Sequence, residues 1–367
     1  MRHSLLHKYY SVVASVFFLI PMNASCADGP WQIGARLHYG FLWPHRPSSW
    51  ILVQGHSIAT EVYAERQLLG DRAWHHHYRG PSCGVGFMYA GMADPDRIGT
   101  VVRLLPYLHL PLVKGERGSF GMQLGWGIGY VAKPFERRIN SKQIAIGSAV
   151  NTAIQIMAQY RLQLGRMMLN TGLGIDHWSN GSVALPNLGL NLLSASVGMG
   201  YSLGEPKPYV HVPDTTQLER PRRTYSVVGA FAMSETGRPE SGQYSVYSVI
   251  GQVQWRLTKK SAVSGGVDLF NKGALGTLYP ELKEEGRLAY TQAGIHGGYA
   301  LLFGRGELQL QMGYYMYTPK PEAEKFFHRL GCRYNVGKHL VTHVGLKSHY
   351  AVADHWEFGL GYRWCTG

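Results

Sequence analysis

The sequence predicts an all-β protein, a transmembrane antiparallel up-and-down β-barrel of roughly 14 to 16 strands that follows a cleaved signal peptide. Three observations predict it: an N-terminal export signal, apolar residues spread by two-residue alternation, and aromatic residues at strand ends. Of 367 residues 45% are hydrophobic, yet 46 Gly, 23 Tyr and 9 Trp are interspersed with polar residues and the mean hydropathy falls below zero. No segment after the export signal offers roughly 18 consecutive apolar residues, so no spanning helix is expected.

The export signal comes first. Arg2, His3, His7 and Lys8 precede the apolar run "SVVASVFFLIP", which is too short to span a bilayer as a helix, and the small-residue stretch "NASCA" follows. Ser25 and Ala27 occupy the two positions a signal peptidase reads, so residues 1–27 are a signal peptide and the mature chain starts at Asp28. Lipid attachment at Cys26 is the weaker reading, because Asn23 and Ala24 make a poor lipobox. Without Cys26, Cys83, Cys332 and Cys365 remain, too far apart in sequence for a chelating motif, so neither a disulfide framework nor a zinc site is implied. His75, His76 and His77 fall in a polar loop without matching acidic or Cys ligands and read as surface histidines. No metal or organic cofactor is expected.

The strands follow. In "SFGMQLGWGIGY" (119–130) one phase reads Phe120, Met122, Leu124, Trp126, Ile128, Tyr130, and the other Ser119, Gly121, Gln123, Gly125, Gly127, Gly129. Successive side chains of a strand face opposite sides, so one face is apolar and the other small or polar. "ELQLQMGYYM" (307–316) and "VIGQVQWRL" (249–257) repeat the pattern. The C-terminal "HWEFGLGYRW" (355–364) places Trp356, Phe358, Leu360, Tyr362 and Trp364 on one phase, as a closing strand requires, with "CTG" as an extension beyond it. A soluble sandwich shares the period, but strands of about 9 to 13 residues with aromatic ends and short turns behind an export signal fit an outer-membrane barrel. Closure removes the unpaired edges that a bilayer does not tolerate.

Periodic runs number about eight before residue 204 and about eight after residue 221, with "SSWILVQGHSIATEVYAERQ" and residues 130–163 ambiguous. The preferred reading is one large barrel over residues 28–367, with strands of 28–203 carrying the candidate site and 222–367 supplying additional strands. Two tandem eight-stranded barrels joined by the polar, Pro-containing residues 204–223 are the alternative. The net charge of +13 suits anionic lipid headgroups. No dense Lys/Arg block interleaved with aromatics suggests nucleic acid.

The seventh strand, "RMMLNTGLGIDHWSN" (166–180), poses the functional question. Met167, Leu169, Thr171, Leu173, Ile175, His177 and Ser179 share the lipid-facing phase, and Asp176 belongs to the opposite one. On the next strand, "NLLSASVGMGYSL", Asn191 shares the apolar phase, so three polar groups converge at one membrane rim. Polar groups facing outward give up the hydration of the lumen, which suggests a substrate that is itself a lipid. With a periplasmic N-terminus the seventh strand rises, which puts His177 and Ser179 at the outer leaflet. Asn187 and Gly189 read as turn-formers.

The stretch "HWSNGSVALPNLGLN" (177–191) resembles the His-x-Ser-Asn motif and following turn of the PagL-type lipid A 3-O-deacylases, specifically here and more loosely over the first eight strands. The resemblance implies an outer-membrane serine esterase acting on lipid A. It implies Ser179 as nucleophile, His177 as general base, and the amides of Asn180 and Gly181 as the oxyanion hole. The family carries an acid where this chain has Asn191, which can accept a hydrogen bond from the imidazole but supplies no charge. The partners implied are lipopolysaccharide, outer-membrane lipids and the barrel-assembly machinery. A non-catalytic porin-like barrel with a relic motif, and an acyltransferase or phospholipase using the same dyad, are the competing readings. In the second half Asp268, His349 and Asp354 read as ordinary lumen polarity.

Overall fold

The computed structural model describes residues 28–70, 72–210, 223–320, 324–350 and 352–366. The expected signal peptide, its cleavage site and Cys26 lie outside the described residues.

The first eight strands are β1 (Trp31–Leu42), β2 (His56–Gln67), β3 (Ser82–Gly91), β4 (Thr100–Lys114), β5 (Gly118–Val131), β6 (Val150–Leu164), β7 (Met167–Ser179) and β8 (Leu190–Ser202). All pair antiparallel with their sequence neighbours, and β8 returns to β1 in a register running from Gln32↔Ser202 to Leu42↔Leu192. Eight more follow: β9 (Arg223–Glu235), β10 (Gln243–Arg256), β11 (Ser261–Lys272), β12 (Thr291–Phe303), β13 (Gly306–Tyr317), β14 (Phe326–Val336), β15 (Leu340–His349) and β16 (Val352–Thr366). Here β16 closes on β9, from Phe358↔Phe231 to Thr366↔Arg223. The total of sixteen lies at the upper end of the 14 to 16 expected, but the closure differs from the single barrel expected. The strands form two closed barrels of eight, because β8 satisfies the free edge of β1 and leaves none for β9.

The chain accordingly divides into two compact units, one holding the first barrel and Pro186–Asp214, the other holding the second barrel and Gly181–Leu185. The residues "CTG" are less an extension than expected, since Cys365 pairs with Thr224 inside the β16–β9 ladder.

Alternation does what the sequence requires of it. On β13 Leu310 and Met312 are exposed outward, whereas Gln309 and Gln311 are buried in the lumen. An eight-stranded barrel leaves an interior just wide enough for side chains to fill. In the first barrel Glu61 accepts from Arg36 at 3.0 Å and Arg103 at 3.2 Å and pairs with His38 Nε2 at 3.0 Å, all buried. Glu65 is paired with Arg161 at 2.7 Å and accepts from the Tyr107 hydroxyl at 2.8 Å. In the second barrel Arg329 bridges Glu357 (2.6 Å) and Asp268 (3.0 Å), and Lys347 meets Asp354 at 2.6 Å. Buried charges persist only when paired in this way.

One local expectation is corrected. His75, His76 and His77 are not a polar surface loop: Ala73–His77 forms a helical turn, and His75 is buried edge-on against Trp74. Cys83, Cys332 and Cys365 are free thiols.

Candidate active site

Strand β7 sets the geometry. Met167, Leu169, Thr171 and Leu173 are exposed on the outer wall, while Met168, Asn170, Asp176 and Trp178 are buried inward. His177 and Ser179 continue the outer phase at the C-terminal end of the strand. Asp176 points into the lumen, where its carboxylate pairs with Arg103 at 3.0 Å, as its parity demands.

Directly across the β7–β8 ladder from His177 is Asn191. Opposed residues of an antiparallel pair bring their Cβ atoms to about 5 Å, within reach of an amide and an imidazole. Nδ1 of His177 lies 2.6 Å from Oδ1 of Asn191. The ring proton is therefore on Nδ1, and Nε2 carries the free lone pair. Gly189 shapes the other side of the ring: it adopts φ +83°, and a Cβ there would fall 2.6 Å from Cε1 of His177. Its N–H donates to the Ala145 carbonyl at 2.9 Å, which ties the β7–β8 loop to the β5–β6 loop.

Ser179 lies two residues on, only 3% exposed. Its hydroxyl is bracketed by the Asn187 carboxamide: Nδ2 donates to Oγ at 3.0 Å, and Oδ1 lies 3.2 Å away as the acceptor for the hydroxyl proton. The same Oδ1 accepts the Asn180 backbone N–H at 3.0 Å, and the Asn180 side chain donates to Ser148 Oγ at 3.0 Å. A serine hydroxyl, a histidine with its tautomer set from behind and an amide donor at the hydroxyl are thus gathered at one end of the first barrel.

Residues 58–200 match the family described as lipid A 3-O-deacylase (PagL), and residues 223–366 match the acyloxyacyl hydrolase C-terminal domain of the same name. The chain belongs to the PagL family. Its members are outer-membrane hydrolases of lipid A, and this chain is one of them. No curated protein matches the chain significantly. Among solved structures, a double mutant of the Rh. blastica porin is 8% identical, covers 92% of this chain and 100% of its own, and superposes with a TM-score of 0.20. A triple mutant of Rhodopseudomonas blastica porin is 7% identical with the same coverage and a TM-score of 0.17. Neither superposition bears on the site.

Within this PagL-family chain the structure brings His177 and Asn191 together and leaves Asn180 and Gly181 in different settings. The Asn180 amide is engaged by Asn187. Gly181 has φ +64° and groups with the second unit, where a Cβ would collide with the Trp356 indole. Asn187, read from sequence as a turn-former, instead has a buried side chain aimed at the serine. Its place in an Asn/Gly/Pro-rich loop hid it, since such residues more often serve the backbone.

His45 is a second residue that the sequence did not single out. It follows β1, and its Nδ1 lies 2.8 Å from Nδ2 of Asn191. Burial, reinforced by the adjacent Arg46 charge, holds its pKa below the usual histidine value, opposed by a hydrogen bond to the Leu188 backbone. Among the described residues no cluster of three or more His, Cys, Asp and Glu is placed to hold a metal ion.

Proposed function

We propose that the first barrel is a carboxylic ester hydrolase that removes the 3-position hydroxyacyl chain of lipid A, with Ser179 as nucleophile and His177 as general base. The observation that carries this reading is the His177–Asn191 hydrogen bond on the outer wall, which leaves Nε2 as a base on the face that Ser179 shares. An outward site needs a substrate already in the membrane, and lipid A is one.

In the first half-reaction Ser179 Oγ attacks the ester carbonyl while its proton passes to His177 Nε2. The carbonyl oxygen becomes an oxyanion, and Asn187 Nδ2, already at hydrogen-bond distance from Oγ, is the donor best placed to meet it. Collapse breaks the bond to the sugar oxygen, which takes the proton from His177 and leaves an acyl-serine. Water, deprotonated by the same nitrogen, then hydrolyses that ester and releases the free fatty acid. Asn180 and Gly181 are the oxyanion donors implied by resemblance, and the Asn180 N–H would have to leave Asn187 Oδ1 to serve as one.

The site faces the outer leaflet in this reading. In the first barrel the connections 43–55, 92–99, 132–149 and 180–189 surround the site's end, whereas at the other end 115–117 and 165–166 are tight turns and 68–81 is one long connection holding the Ala73–His77 helical turn. Long loops are extracellular in such barrels and short turns periplasmic. Insertion by the barrel-assembly machinery belongs to the same reading.

The test is release of hydroxy fatty acid from purified lipopolysaccharide by detergent-refolded protein, with mass spectrometry of the lipid A product. Ser179→Ala and His177→Ala are each expected to abolish release while keeping the barrel folded. Full activity in Ser179→Ala would end the serine-esterase reading, and a gain of acyl mass would favour a transferase.

A further inference from the structure

A carboxylate presents oxygen to a histidine whichever way it turns, but a carboxamide does not. With Asn191 turned over, Nδ2 would face His177 Nδ1, the ring proton would move to Nε2, and the nitrogen needed as base would have no lone pair. Replacing an acid by Asn at this position therefore creates a requirement: something must hold the amide one way round.

We propose that His45 is a positioning residue for the hydrolase, accepting the Asn191 Nδ2–H at its own Nδ1 and so locking the Asn191 oxygen toward His177. The proposal rests on the catalytic reading of Ser179 and His177 and adds the residue that lets an amide take the acid's place. The three side chains form one directional relay, with His177 Nδ1 donating to Asn191 Oδ1 at 2.6 Å and Asn191 Nδ2 donating to His45 Nδ1 at 2.8 Å.

The setting of His45 suits an acceptor rather than a second donor. The Trp43 N–H donates to the Asn191 carbonyl at 2.8 Å, which clamps the segment leaving β1 alongside the start of β8 and puts His45 within reach. With the Asn191 oxygen turned to His177, the group facing His45 Nδ1 is the amide nitrogen, which can only donate, so Nδ1 must offer a lone pair. Partial burial and the neighbouring Arg46 favour the neutral ring, and only the neutral ring has an acceptor. His45 is 146 residues from Asn191 in sequence, so the pairing exists only because β1 and β8 are the closing strands of the first barrel.

The experiment is a mutant cycle on refolded full-length protein with purified lipopolysaccharide as substrate. His45→Ala is expected to lower kcat about tenfold or more with KM little changed, since the wrong tautomer disables the base without touching substrate. In the Asn191→Asp background the same substitution is expected to cost less than about threefold, because a carboxylate has no wrong face. His45→Asn, which keeps an acceptor near the Nδ1 position, is expected to recover part of the loss. Equal losses in both backgrounds would overturn the proposal and make His45 a loop support. So would undiminished activity in His45→Ala. A readout independent of turnover is the nitrogen NMR of selectively labelled His177: the proton should be on Nδ1 in the parent and shift toward Nε2 in His45→Ala. An unchanged Nδ1–H signal would overturn the lock even if Asn191→Asp proved inactive. Loss of the lock alone leaves Ser179→Ala and His177→Ala dead, whereas failure of the catalytic reading shows as activity in those two variants.

Discussion

His177 and Asn191 are direct cross-strand partners, and their side chains meet at 2.6 Å between Nδ1 and Oδ1 on the outer wall of the first barrel. That contact fixes the imidazole tautomer without adding negative charge. Asn191→Ala is expected to reduce turnover about tenfold, the worth of one hydrogen bond of about 1.4 kcal/mol. Asn191→Asp is expected to equal or exceed the parent, because a carboxylate also stabilises the imidazolium formed during attack. Initial rates of fatty acid release check both. An inactive Asn191→Asp would show that the site is built around the amide.

Asn187 holds the Ser179 hydroxyl through Nδ2 at 3.0 Å. If that group follows the charge as it develops on the substrate oxygen, Asn187→Ala should lower kcat by about 10²–10³ with a small effect on KM. A drop confined to KM would instead make Asn187 a substrate-binding residue.

How much of this was legible follows from which interactions are local. The parity that sends His177 and Ser179 outward and Asp176 inward is a property of one strand, so a period of two reveals it. A total of roughly 14 to 16 strands could be counted for the same reason. Closure could not, because the edges that β8 and β9 seek depend on register between distant segments: Gln32↔Ser202 and Trp364↔Tyr225 are long-range facts. Asn187 and His45 were hidden in the same way. Their roles depend on how the loops 180–189 and 43–46 fold back over β7 and β8, and Asn, Gly and Pro in a loop carry backbone signals that mask a side-chain role.

Orientation in the membrane is tested at Ile139, which is 87% exposed in the 132–149 connection. Ile139→Cys is expected to react on intact cells with a maleimide that does not cross the outer membrane. Reaction only after the membrane is breached would place the site's end in the periplasm and sink the outer-leaflet assignment.

The lumen of the first barrel makes a stability prediction. Glu61 is 1% exposed and takes contacts from Arg36, Arg103 and His38. Glu61→Gln keeps the shape but leaves buried cations short of an anion, at a cost of about 3–5 kcal/mol. Denaturant unfolding of the refolded protein reads this as an earlier transition. An unshifted midpoint would mean that Asp176, already 3.0 Å from Arg103, compensates.

Gly189 connects loop conformation to catalysis. Its φ of +83° is a backbone state that costs a residue with a Cβ about 1–2 kcal/mol. The larger effect is steric, since the new methyl would fall 2.6 Å from Cε1 of His177 and force the imidazole to move. A ring displaced from Asn191 loses its fixed tautomer, and one displaced from Ser179 loses its proton-transfer distance. Gly189→Ala is therefore expected to lower kcat by about 10²-fold, as small misplacements of catalytic groups do. The loop lies outside both strand ladders, so the unfolding midpoint should move far less than in Glu61→Gln. The comparison of the two variants separates the site from the scaffold: an active Gly189→Ala would mean that the loop yields and the imidazole stays, and His177 would then be held by Asn191 alone.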